Sequence, residues 1–184
     1  MGVKIVDAAY SEMRRAILED RTPNLYILHY DLETWTVRNV VLIPHFAFAL
    51  SAVERRKPLA LTARRAGWVG CNILLEKIPA GARIPIVQEG EPLPPREVRQ
   101  AYRRLRPLER LKVEKRSWTL DVFSIASALE KREFSLSDVY AQEDALAKLH
   151  PKNAHVRDKI RQQLQVLRDM GLIVFLGGGS YRLR

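Results

Sequence analysis

The 184 residues include a single cysteine, Cys71. One thiol cannot build a disulfide framework within the chain or a Cys-rich zinc site, and it fits a reducing, cytoplasmic setting. A long apolar run is also missing. The longest, VVLIPHFAFAL, is broken by Pro44 and His45 and is too short to span a bilayer. The N-terminus has no basic segment followed by an apolar one, so no signal peptide is expected. Acid is in deficit as well: 31 Lys and Arg stand against 21 Asp and Glu, a formal charge of +10.

A further absence bears on chemistry. Many α/β DNA nucleases hold a divalent metal with an acid followed by Asp/Glu-x-Lys, the lysine positioning or activating water. No lysine here has Asp or Glu two residues before it, and replacing the lysine by glutamine finds no match either. No catalytic residue and no metal ligand is therefore assigned. GGG at 177–179 lacks the Gly-Lys-Ser/Thr that would make it a phosphate loop. His150, Asn153 and His155 have the wrong spacing for a His-Asn-His nuclease, and Pro151 splits them.

The positive charge is concentrated. Residues 96–116, REVRQAYRRLRPLERLKVEKR, hold nine basic and three acidic residues, +6 of the total +10. A polyanionic partner is the first expectation.

The N-terminal part reads as α/β. Val6, Ala9, Tyr10, Met13 and Ile17 recur at helical steps and predict a helix over 4–20, ended by Pro23. LYILHYDL and RNVVLIP predict two strands around a polar connection at 31–36. CNILLEKI and RIPIVQ predict two more, with Pro79-Ala80-Gly81 as a turn. EGEPLPP at 89–95 is a Pro-rich break, followed by a partly helical stretch from Arg96 to Leu105. The expected division is 1–106, a linker at 107–117, and 118–184.

The last part is punctuated clearly. WTLDVFSIASALEK predicts an amphipathic helix over 118–131. SLSD at 135–138 is a capping box opening a second helix that runs to Leu149. Asn153 is the expected cap of a third helix over 154–170, and Gly171 its C-terminal glycine. A strand, a glycine turn and a strand follow. Three helices and a hairpin is the winged-helix order. On the third helix Val156, Ile160, Leu164 and Leu167 share one face. His155, Asp158, Arg161, Gln162 and Gln165 share the other, which suits base-edge reading, since Arg bonds guanine and Gln bonds adenine.

RKPLALTARRAGWVGCNI, HVRDKIRQQLQVLRDMGLI and GGGSYR, with DAAYSEM and PNLYILHY, closely resemble the Dam-replacing family over nearly the whole chain. That family is DpnI-like: methylation-dependent type II restriction endonucleases that cut GATC when its adenine is N6-methylated. The resemblance implies a partial PD-(D/E)XK nuclease-like α/β domain at 1–106, followed by a C-terminal winged helix. It implies double-stranded DNA as partner, in a bacterial cytoplasm at the nucleoid, with no membrane and no small-molecule substrate. The family's metal-binding carboxylates and four-Cys zinc site lie in a segment preceding Val6. Mg2+ and structural Zn2+ are thus expected only where that segment is present, and none in this chain.

The same resemblance places Arg64, Arg65 and Trp68 in a base-contacting loop, with Asn72, on the strand that follows, a further expected DNA-binding residue. It places Lys152, Asn153, His155, Arg157, Arg161, Gln162 and Gln165 in the recognition helix and its approach, and Ser180, Tyr181 and Arg182 on the wing. Trp68 is the expected contact for the modified adenine, projecting from a loop that Gly67 and Gly70 let turn tightly. The alternatives are a winged-helix transcription regulator and an active nuclease whose start lies upstream.

Overall fold

A computed structural model describes residues 4–184. The chain opens with a strand, β1 (Lys4–Ala9), and only then a helix, α1 (Tyr10–Leu18). This corrects the helix expected from residue 4. Val6 and Ala9 fit the helical spacing, but β1 pairs antiparallel with a later strand, Ile5 opposite Ile73. The tertiary ladder overrides the local period.

Two sheets follow. The first is ordered β1-β5-β4, with β4 at Val53–Arg55 and β5 at Gly70–Leu74. The second is ordered β2-β3-β6-β7, with β2 at Leu25–Asp31, β3 at Thr36–Ile43, β6 at Ile84–Gln88 and β7 at Glu91–Pro92. The β2–β3 hairpin forms where expected. In its turn the Asp31 carboxylate accepts backbone N–H groups of Thr34 and Glu33, which hold its pKa below the usual range. The two strands flanking Pro79-Ala80-Gly81 do not form one hairpin. Leu75–Lys77 and Ala80–Ala82 are single 3-10 turns, and β5 and β6 enter different sheets.

Helix α2 (Pro95–Leu105) starts with Pro at its first turn and packs on β6. A 3-10 turn over Arg106–Arg110 buries Leu108, and helix α3 (Val113–Ala128) starts five residues earlier than expected. The stretch expected as a linker is therefore packed. Nor is α3 amphipathic: Trp118 through Phe123 are all buried. A helix buried on all sides has neighbours on all sides. Here α6 (Val156–Asp169) lies on one side and the N-terminal unit on the other. Phe123 sits 3.0 Å from where a Cβ on Gly81 would be.

The expected second helix is broken into α4 (Leu136–Tyr140) and α5 (Glu143–Leu149), since Gln142 leaves helical geometry. The capping box is present: Ser135 Oγ accepts the Asp138 N–H, and Asp138 accepts the Ser135 N–H. After α6 come β9 (Ile173–Gly177) and β10 (Ser180–Leu183). A short strand with no sequence signal, β8 (Glu133–Ser135), pairs with β10 to make a three-stranded wing.

Candidate nucleic-acid interface

Helix α6 is fixed along its inner face and at its C-terminal end. Val156, Ile160, Leu164 and Leu167 are buried, as the spacing predicted. Gln163 is buried too, and Thr119 Oγ1 donates to its Oε1 at 2.8 Å. Sequence reasoning missed it, although its place beside Leu164 on the inner side was readable. The C-terminus closes with paired bonds: Gly171 N–H to the Arg168 carbonyl and Leu172 N–H to the Leu167 carbonyl, with Gly171 at φ 71°. This is the Schellman pattern. It directs the chain into β9.

The outer face of α6 carries Arg157, Arg161, Gln162 and Gln165, all exposed, with His155 just before it. Arg157 Nε donates to Glu143 at 2.6 Å and its guanidinium lies over the Tyr140 ring. Arg161 donates to Asp158 at 2.6 Å. Exposed pairs of this kind contribute roughly 0–1 kcal/mol, so both arginines can exchange a carboxylate for a phosphate or guanine. Asn153 is not the helix cap. Its Oδ1 accepts the His155 N–H at 2.8 Å, and His155 itself is the cap residue. Asn153 shapes the turn that leads in. Lys152 is exposed in a cleft shared with Arg14, Glu114 and Lys159.

On the wing, Gly177, Gly178 and Gly179 all have positive φ, which makes the tight reversal. Ser180 is half-buried beside it. Arg182 faces Glu133 across the strands at 2.8–2.9 Å. Tyr181 lies on the wing but its side chain turns inward. It is buried between Phe134 and Phe175, with ring centroids 5.6 and 5.2 Å away, and burial raises its hydroxyl pKa. It holds the wing together from inside. Phe175 and Leu176 are the exposed apolar residues of the wing.

The second set of expected residues lies on an arm that prolongs the β4–β5 pair. Arg56 N–H bonds the Gly70 carbonyl, and Leu59 N–H bonds the Trp68 carbonyl. Beyond them the chain turns through 60–67, where Leu61 is 92% exposed and Arg64 and Arg65 are exposed. Gly67 has φ 76°, as a tight turn requires. Gly70 works differently. A Cβ there would stand 2.7 Å from two atoms of the Trp68 ring. The indole thus folds back over Gly70 instead of projecting from the loop. The Arg65 guanidinium covers it 4.8 Å from the ring centroid, which leaves Trp68 half-buried. Asn72 is occupied elsewhere: its Nδ2 donates to Glu54 at 2.7 Å, and Lys4 donates to the same carboxylate. These two bonds, Asn72 first, hold the Glu54 pKa down.

One polar cluster lies between the two units. Asp121 accepts from Ser51 on one oxygen and meets His150 Nε2 at 2.8 Å on the other; His150 stacks on Trp118. The carboxylate stands between the hydroxyl and the imidazole, so the histidine is not placed to take the serine proton. The cluster positions the loop before α6. Among the described residues no group of three or more His, Cys, Asp or Glu is arranged to hold a metal ion, and no helix is long and apolar enough to cross a membrane.

Two family models cover the chain. One, described as the Dam-replacing family, matches residues 1–111; the other, described as the Dam-replacing HTH domain, matches residues 114–183.

Proposed function

The chain belongs to the Dam-replacing family, and from that premise we propose that it binds double-stranded DNA at GATC sites whose adenine is N6-methylated. In this reading the N-terminal unit is the partial core of a PD-(D/E)XK-type nuclease domain. Cleavage in this reading depends on metal-binding carboxylates with Mg2+ and on a zinc-bearing segment. The observation that carries the reading is the outer face of α6. Arg161, Gln162 and Gln165 stand exposed on a helix whose opposite face is fully buried. A helix of that kind is what a major groove admits, with Arg for guanine and Gln for adenine.

Methylation needs more than one apolar contact. Burying a methyl group contributes about 0.8 kcal/mol, roughly fourfold in affinity. An aromatic contact with the base adds about 1–3 kcal/mol. Trp68 is the residue of the arm able to supply it. Arg65 already lies on the indole, so Arg64 is the freer cation for guanine or phosphate, and Arg65 must swing aside or stack together with the base.

A gel-shift titration with methylated and unmethylated GATC duplexes tests the reading. The wild type should prefer the methylated duplex, and Trp68→Ala should lower that ratio about tenfold, the effect of about 1.4 kcal/mol. A wild type that binds both duplexes equally would overturn it.

A further inference from the structure

The residues in which the sequence concentrates its charge form neither the recognition helix nor the wing. We infer that helix α2 is a second, sequence-independent DNA site, on which Arg96, Arg99 and Arg103 bind the phosphates of one strand. This rests on the DNA reading above and adds a surface to it.

Three observations carry it. Val98, Ala101, Tyr102 and Leu105 face the core, so the helix is anchored by one side. The other side presents Arg96, Arg99, Gln100 and Arg103, exposed and lining one shallow concavity with no acid in it. Finally, these arginines differ in state from those of α6 and from Arg182 on the wing. Arg157, Arg161, Arg168 and Arg182 each face a carboxylate. Among the described residues Arg96, Arg99, Arg103 and Arg104 have no ion-pair partner within 4 Å, whereas Arg106 lies 3.5 Å from Glu109. Like charges three and four residues apart destabilise a helix by about 0.2–0.5 kcal/mol per pair. An unneutralised stripe is therefore a standing cost that a polyanion removes.

The geometry suits a duplex. Arg96 to Arg103 spans about 10 Å of helix at 1.5 Å per residue. One DNA strand carries about three phosphates over that rise, at 3.4 Å each. An anionic membrane fits worse: an interfacial helix inserts its apolar face, and here that face is already packed inside the domain.

The experiment measures Kd against salt by fluorescence anisotropy, using methylated GATC, unmethylated GATC and a duplex lacking GATC. The comparison is wild type against Arg96→Gln/Arg99→Gln/Arg103→Gln. The slope of log K on log salt should fall by about 2.7 in the variant, about 0.9 for each lost phosphate contact. Affinity for all three duplexes should fall by the same factor, leaving the methylated-to-unmethylated ratio unchanged. A second variant, Lys77→Gln/Lys112→Gln/Lys148→Gln, removes equal charge elsewhere and should keep the slope. An unchanged slope in the arginine variant, or an equal fall in the lysine variant, overturns the inference. So does a loss confined to binding of phosphatidylserine vesicles. A wild type with no methylation preference sinks the proposed specificity but leaves the slope test standing.

Discussion

Gly70 shows how one missing side chain sets the state of a functional candidate. The sequence displays a tryptophan between glycines, and the simplest reading gives both glycines the same task of bending the backbone. Gly67 does that at φ 76°. Gly70 instead leaves room for the indole, since a Cβ would meet the ring at 2.7 Å. Gly70→Ala should therefore push Trp68 off the arm without touching its chemistry. With fluorotryptophan-labelled protein, the Trp68 19F resonance should shift while those of Trp35 and Trp118 stay. The preference for methylated duplex should fall about as far as in Trp68→Ala, with binding to a duplex lacking GATC unchanged. A Trp68 resonance that stays in place with full preference would show that the seat on Gly70 does not matter for reading.

Among the elements, the start of α4 is where sequence and structure agree most closely, because a capping box is a local device. Its energetics are testable. Ser135→Ala removes the acceptor of the Asp138 N–H and should cost about 1 kcal/mol in urea unfolding. Asp138 adds a pH signature. The Ser135 backbone N–H first, then the Ser135 hydroxyl and the Lys131 ammonium, lower its pKa from 3.8 to about 2. A depressed carboxylate pKa means stabilisation that is complete above the unfolded value and lost as pH falls through the folded one. Asp138→Asn should thus be less stable than wild type at neutral pH, and the gap should close between pH 3.8 and about 2. A gap that persists at the acid end would assign the effect to packing. Other elements were less legible, each for a stated cause. α6 was readable because its inner and outer faces differ. β1 was not, since its partner β5 lies more than sixty residues away. β8 has three residues and exists only as an addition to β10. Tyr181 and Asn72 could be placed in the right element, but not on the right side of it. Phe134, Phe175 and Glu54, which decide that, are tertiary neighbours.

For the whole molecule the question is whether the two units act as one body. Sequence punctuation suggests a connector, yet the ion pair and buried contacts run through the start of α3. Arg116 is 3% exposed and its guanidinium is held by Asp20, beyond the end of α1, with a bond of 3.2 Å from Nη1 to Oδ2. Asp121, five residues further, reaches Ser51. A rigid joint would fix how the arm and α6 address one duplex; a loose one would let each bind separately, at an effective concentration set by the connector. Asp20→Asn separates these cases. Asn tolerates the φ of 55° found at position 20, so the backbone stays, while Arg116 keeps its burial and loses its counter-charge. Removing the partner of a buried guanidinium costs about 1–3 kcal/mol. In scanning calorimetry the wild type should unfold in one transition. Asp20→Asn should show two, with the earlier one suppressed by added duplex. Affinity for duplex should drop while the salt slope holds, because no phosphate contact has been removed. A single transition, merely shifted down, would mean that Phe123 on Gly81 and Asp121 on Ser51 suffice to keep the units joined.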